Sequence, residues 1–199
     1  MRIAASLADG ALFKAKVLGH NAGWYNAGVS QPVALSTPRQ SLSYDSIAIN
    51  QQLTVQRTIS AEQVALFAAA SDDCNPVHLD AGYAANTDFG RPIAHGMLTG
   101  ALISAAIATH LPGPGSIYRS QQIKFQRPVF CGDIVDITLT VTAKRDRARL
   151  ITLSCEVVNQ DDQRVASGEA EVIVAPDVIE TGAIELPAIT VQGAQYHYG

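Results

Sequence analysis

An acid and an imidazole, Asp73 and His78, stand close together in Ser71-Asp72-Asp73-Cys74-Asn75-Pro76-Val77-His78-Leu79-Asp80. A turn of this kind can aim both side chains at one point, which is what positioned acid–base chemistry requires. The residues before it read as a helix. Ser60 is placed to cap it, Gln63 sits at the reciprocal capping-box position, and Val64, Leu66 and Phe67 offer apolar surface. Asn75-Pro76 is expected to stop any helix, because Pro76 lacks an N–H and pushes Asn75 out of the helical region. Turns use Asp, Asn and Pro in any case, and a lone histidine beyond a turn more often packs or faces solvent. The spacing alone therefore does not establish catalysis.

The elements around the turn follow from local patterning. Leu53 to Thr58 alternates apolar and polar residues as a first strand does. Asp80 can cap a short helix through Tyr83 and Ala85, and Thr87 to Pro92 reads as a loop. Gly96 then opens a helix whose apolar run, Met97 to Leu111, is too short to span a bilayer and reads as buried on nearly all sides. The N–H groups at a helix start lack intrahelical partners and lie at the positive end of the dipole. They suit an oxygen that gains negative charge, and glycine there allows close approach, although a glycine at such a point is commonly only a turn residue. Leu111-Pro112-Gly113-Pro114-Gly115 ends the helix. Four strand-like segments follow, Ser116 to Gln126, Ile134 to Ala143, Arg149 to Asn159 and Arg164 to Ala175, with turns at Asp146-Arg147 and Gln160 to Gln163. A strand, helical segments and then a run of strands indicate an α+β fold with an antiparallel sheet. One apolar helix and five strands are what a sheet wrapped round a central helix needs.

At 199 residues and 47% hydrophobic, the chain is long enough for one well-buried domain with appendages. A net charge of -4 with no basic stripe argues against nucleic acid as a partner. Cys74, Cys131 and Cys155 are odd in number and lack ligand spacing, which suits free thiols in a reducing compartment. Cys74 reads as a space-filling residue, not a nucleophile. The histidines show no His-Glu-x-x-His pattern, so no metal is expected. Residues 1–51 form a poorly defined N-terminal arm, 52–176 the domain, and 177–199 a tail. In the arm Arg2, Lys14, Lys16 and Arg39 outnumber Asp9, so an organellar targeting segment is an alternative to a loosely ordered arm carrying Trp24. The apolar stretch of a secretory signal is missing.

The turn from Asp73 to His78 resembles the acid-x-Asn-Pro-x-His turn of the MaoC-like (R)-specific enoyl-CoA hydratases. Arg91-Pro92-Ile93-Ala94-His95-Gly96-Met97 is similar to a second family stretch. Ser104, Gly115-Ser116-Ile117-Tyr118, Phe125-Gln126-Arg127-Pro128-Val129 and Gly132-Asp133 match further ones in the same order. The resemblance covers roughly Leu53 to Pro176. Within the family the chain is similar to the hydratase module of bifunctional enoyl-CoA hydratase/phosphate acetyltransferase proteins, through Val157 to Asp161 and Gly168 to Pro176. Asp72 and Cys74 depart from the family stretch and bear on acyl-pocket shape more than on the chemistry.

The resemblance implies a hotdog fold and syn hydration of a trans-2-enoyl-CoA to the (R)-3-hydroxyacyl-CoA, with the reverse dehydration. It assigns Asp73 and His78 to a shared water. Asp73 is the favoured base and His78 the group that orients water and returns a proton, although the two roles are exchangeable on sequence. Gly96 becomes the favoured oxyanion donor. Ser104, Asn75 and Met97 complete the oxyanion and substrate-binding set, Ser104 by positioning the acid and Asn75 by locking the turn. His95 reads as a structural imidazole. No cofactor is implied, since coenzyme A is part of the substrate. The expected partners are that thioester and a second copy of the chain, in a homodimer or higher homo-oligomer in the cytoplasm, with no membrane. A hotdog thioesterase and a non-catalytic module binding acyl-CoA or acyl-carrier protein are the alternatives.

Overall fold

The computed structural model describes residues 39–182 throughout and, outside them, the backbone of four short strands. The chain divides into two compact units, one of residues 37–183 and one built from the two ends, 1–36 and 184–199. In the unit of the two ends, β1 (Lys14–Val17) pairs in parallel with Thr190–Gly193, and β2 (Ala34–Leu35) pairs antiparallel with Ile184–Glu185. Trp24, the targeting alternative and the remainder of both ends lie outside the described residues.

The larger unit runs β3 (Arg39–Gln40), β4 (Gln52–Thr58), α1 (Ala61–Ser71), α2 (Pro76–Leu79), α3 (Ala81–Ala84) and α4 (Gly96–Thr109). It continues with β5 (Ile117–Phe125), β6 (Ile134–Arg145), β7 (Leu150–Asn159), β8 (Arg164–Ile173) and β9 (Glu180–Thr181). Five strands join in the order β4-β6-β7-β8-β5, every pair antiparallel. In β6, Val135, Ile137, Leu139 and Val141 are buried at every second position. The side chains between them face outward and pair across strands, as Thr54 does with Thr138 and Gln56 Nε2 with the Asp136 carboxylate, both at 3.0 Å. That period of two fixes the register, because a slip of one residue would expose the whole apolar set.

Against the inner face lies α4, whose Leu98, Ile103, Ala106 and Ile107 join the core formed by β6, β7 and β8. Burying Ile103 or Ile107 contributes about 1.5–3 kcal/mol each. Register shifts at Tyr118/Ser120, Val141/Ala143 and Val157/Val158 interrupt the ladders. Irregularities of this kind bend strands and raise their twist, as a sheet curling round one helix requires. The α+β hotdog architecture expected from the sequence is the one observed.

Three local expectations need correction. Asn75-Pro76 does more than stop a helix. α1 has already ended at Ser71, where Asp72 turns the chain at φ 58, and Asn75 caps a new short helix with Pro76 in its first turn. Proline suits that position because its missing N–H has no intrahelical partner there in any case. Nor is α4 buried on nearly all sides, since Met97, Ala101, Ala105 and Ala108 form an exposed stripe. An apolar helix carries no period that would betray its open face. Finally, Tyr44 and Ile47, within the stretch assigned to the arm, belong to the core. Tyr44 donates to Asp146 at 2.9 Å, and the Lys144 ammonium donates to the Tyr44 carbonyl at 2.7 Å.

Candidate active site

The acid-bearing turn is assembled from short-range hydrogen bonds. Ser60 and Gln63 form the reciprocal capping box, with the Gln63 N–H donating to Ser60 Oγ at 3.2 Å and the Ser60 N–H to Gln63 Oε1 at 3.0 Å. At the other end of α1, Ser71 Oγ donates to the Phe67 carbonyl at 2.7 Å and accepts from the Asp73 N–H at 3.3 Å. The Asp73 carboxylate accepts from the Asn75 N–H at 3.3 Å, and the Asn75 side chain accepts from the Val77 N–H at 3.2 Å. Asn75 therefore holds the turn on both sides, and Asp73 itself is exposed.

His78 is fixed from outside the turn. Its Nδ1 lies 2.8 Å from the Ile93 carbonyl. A carbonyl only accepts, so Nδ1 carries the proton and the neutral ring keeps its lone pair on Nε2. Burial pushes the His78 pKa below the ordinary 6.5. The Ile93 hydrogen bond opposes that shift, His95 reinforces it, and the Asp73 carboxylate opposes it. The Ile93 N–H closes the loop by donating to the Val77 carbonyl at 3.2 Å.

His95, just before α4, is 2% exposed. Its Nε2 donates to the Asp73 carbonyl at 2.9 Å, and its ring lies on the His78 ring with centroids 3.8 Å apart and planes at 32°. Phe67 packs against it at 5.1 Å. Asp73, His78 and His95 each offer a ligand atom within 4.8 Å of the others. Two imidazoles and a carboxylate are a donor set that suits zinc or iron. With Nε2 committed to the Asp73 carbonyl, His95 could serve an ion only through Nδ1, which is shielded from solvent. Spacing rules in sequence miss this trio because the fold brings its members together from separate elements.

Gly96 opens α4, and no side chain caps that end. Its amide thus belongs to the first turn, whose N–H groups have no intrahelical acceptor. A Cβ on Gly96 would meet the Phe125 ring at 3.3 Å, so Phe125 walls this side. Phe125 opens one of the stretches that carry the family resemblance, but nothing in the sequence places its ring beside Gly96. Met97, next along, is 58% exposed, and its Cε is 3.4 Å from where a Cβ on Gly100 would stand. Ser104 is half-buried on α4, and among the described residues no hydrogen bond joins it to Asp73. Burial and the neighbouring Asp72 and Asp73 carboxylates push the Cys74 thiol up, which disfavours a thiolate in the turn.

The family described as MaoC like domain matches residues 46–162. An (R)-specific enoyl-CoA hydratase of Aeromonas caviae is 42% identical over 131 residues, which cover 66% of this chain and 98% of the relative. A 3-hydroxybutyryl-CoA dehydratase of Methylorubrum extorquens is 41% identical over 136 residues, 67% of this chain and 84% of the relative. Among solved structures, the unliganded R-hydratase of Pseudomonas aeruginosa is similar at a TM-score of 0.74 and 44% identity, covering 77% of this chain and 99% of its own.

Proposed function

The chain belongs to the MaoC-like domain family, and from that footing we propose that it adds water syn across a trans-2-enoyl-CoA to give the (R)-3-hydroxyacyl-CoA. The reverse dehydration is equally available, since one transition state serves both directions. The observation that carries this reading is the pairing of the Asp73 carboxylate with a His78 ring whose Nδ1–H is tied to Ile93.

With Nδ1 protonated, both groups facing a shared water are acceptors, so the water donates one hydrogen bond to each. Its remaining lone pairs are then free to attack C3. As the C3–O bond forms, the C2=C3 pair moves toward the carbonyl and charge collects on the thioester oxygen. The Gly96 N–H stabilises that enolate. Asp73 is the base that takes the water's proton. A neutral His78 brings no proton of its own on Nε2, so the hydrogen that reaches C2 comes from the water, passed back by the same pair. Because base and proton donor lie on one face of the substrate, addition is syn. Asn75 and Met97 act as scaffold and pocket wall, and Ser104, half-buried on α4, makes no hydrogen bond to the acid among the described residues.

The test is loss of the conjugated enoyl absorbance of crotonyl-CoA, with the product's handedness read by an (R)- or (S)-specific dehydrogenase. Rapid loss with (R) product is expected. Release of free thiol with the enoyl group intact would instead make this a thioesterase, and binding without either reaction a binding module.

A further expectation concerns pH. Catalysis uses neutral His78, whose pKa burial holds below 6.5. The rate kcat/KM should therefore stay level as pH falls to 6.5 and drop only below it. The same residue links folding to pH. The unfolded chain takes up this proton near 6.5 and the folded chain only further down. Its contribution to stability is thus present above pH 6.5 and lost as pH falls through the lower folded value. A pH–rate profile and denaturation midpoints across the same range check both limbs. An acid limb centred above pH 6.5 would contradict the assignment.

No cofactor takes part, since coenzyme A arrives with the substrate and both acceptor atoms are used by water. Turnover should accordingly survive dialysis against EDTA. Chelation that abolishes it, with restoration by zinc or iron, would move Asp73, His78 and His95 from water activation to metal binding.

The assembly we infer is a homodimer or higher homo-oligomer joined along β5, an edge of the sheet where Ile117 and Phe125 are 61% and 47% exposed. The exposed stripe of α4 beginning at Met97 offers further apolar surface. Among the described residues no helix is long and apolar enough to cross a membrane and no disulfide joins Cys74, Cys131 or Cys155, which suits a reducing compartment such as the cytoplasm.

A further inference from the structure

We propose that His95 is the positioning residue of this site, holding the base, the water-orienting imidazole and the oxyanion amide in one fixed relation; the inference rests on the hydratase reading above. Three contacts carry it. The Nε2–H bond at 2.9 Å to the Asp73 carbonyl ties the start of α4 to the residue that bears the carboxylate. The ring stack at 3.8 Å limits how His78 can tilt about its bond to Ile93. The backbone of His95 leads directly into Gly96, the first residue of α4. Asp73 and His78 sit on a short turn whose own hydrogen bonds set its shape but not its distance from α4. The Ile93 bonds anchor the His78 side of the turn, and His95 fixes the distance on the Asp73 side.

Its burial bears on the same point. At 2% exposure the ring leaves Nδ1 shielded and, among the described residues, without a hydrogen-bond partner. A buried nitrogen without a partner forfeits its hydration and is costly. An apolar ring such as phenylalanine would fill the same space and still stack, without that cost. What it could not do is donate to the Asp73 carbonyl. The retained function is therefore the Nε2 donor, at a reach that places it over the base.

The misplacement at stake is small but sufficient, since a shift of about 1 Å in a reacting group can cost on the order of 10²-fold in rate. Substrate binding, by contrast, uses surfaces that His95 does not form, so kcat and KM should separate.

Three variants test this, each assayed on crotonyl-CoA beside the wild type, with thermal midpoints measured on the same preparations. His95→Gln keeps an amide donor at the reach of Nε2. His95→Asn keeps an amide that is too short to reach the Asp73 carbonyl. His95→Leu removes the donor together with the unpartnered nitrogen. We expect Asn and Leu to lower kcat by about 10²-fold with KM within about threefold of wild type, and Gln to stay within about tenfold of wild type. A role in folding alone would lower the midpoint without distinguishing Gln from Asn. Equal kcat for Gln and Asn, or an unimpaired Leu variant, overturns the proposal. If Leu does not fold, the Gln–Asn contrast still decides. A wild type that fails to hydrate the substrate overturns the hydratase reading itself, an outcome separate from active wild type with indifferent variants.

Discussion

Asp73→Asn is expected to lower kcat for enoyl-thioester hydration by about 10³-fold, within the usual range for a positioned general base, while leaving the fold intact. The two side chains have the same shape, and Asp73 is exposed, so no packing is lost. The retained Oδ1 can still accept the Asn75 N–H, a bond of 3.3 Å in the wild type. The His95 bond goes to the backbone carbonyl of residue 73 and is indifferent to the side chain. What changes is the second carboxylate oxygen, replaced by an amide that donates. The water between residue 73 and His78 then has an acceptor on one side only, and the base is gone. KM should move by less than about threefold, because ground-state contacts to the acyl chain and coenzyme A are untouched. His78→Ala should also cripple turnover, but it opens space beneath His95 as well, so Asp73→Asn is the cleaner test. A variant within about threefold of wild-type kcat would remove Asp73 from the chemistry.

The parts of this fold that were legible in sequence are those whose determinants are local. The alternation in Ile134 to Val141 reports a half-buried strand directly, since period two is a property of the strand itself. Ser60 with Gln63, and Asp80 with Tyr83, announce helix starts because a cap and its partner are three residues apart. Tyr44 and Ile47 escaped notice for the opposite reason. Leu42, Tyr44, Ile47, Ala48 and Ile49 follow neither strand alternation nor a helix period, and Tyr44 and Ile47 are held by Lys144 and Asp146, distant in the chain. The site divides the same way. Asp73 and His78 share a turn and were readable together. The Ile93 carbonyl that sets the His78 tautomer, and the Phe125 ring beside Gly96, arrive from other elements and leave no mark in spacing. Sequence alone makes His95 a structural imidazole, because nothing local shows that its Nε2 reaches the residue bearing the acid.

Gly168→Ala should be the most damaging small substitution for stability, and its reach extends to the site. Gly168 lies in the middle of β8, opposite Ile123 of β5. A Cβ there would fall 1.9 Å from the Gln122 carbonyl oxygen, 2.9 Å from its carbon and 3.0 Å from the Ile123 Cα. These are backbone atoms of a paired strand, so no side chain can rotate away and β5 itself must move. Alanine gains about 0.4–1 kcal/mol by restricting the unfolded chain, whereas overpacking of this kind costs typically about 1–3 kcal/mol and occasionally more. The balance is a net loss of about 1–2 kcal/mol, read as a lower urea midpoint. β5 also carries Phe125, whose ring rests against Gly96, and Ile123, which is 3.9 Å from the Cβ position of Gly100. Displacing the strand therefore disturbs the wall beside the oxyanion amide, and kcat of the folded fraction should fall as well. Ser167→Ala, one residue earlier, is the control. It deletes only an outward hydroxyl that accepts from Gln126 at 2.9 Å and should cost less than about 0.5 kcal/mol. Equal midpoints for the two variants would mean that β5 has slack to yield, and that its close approach to β8 is not what sets the shape of the oxyanion wall.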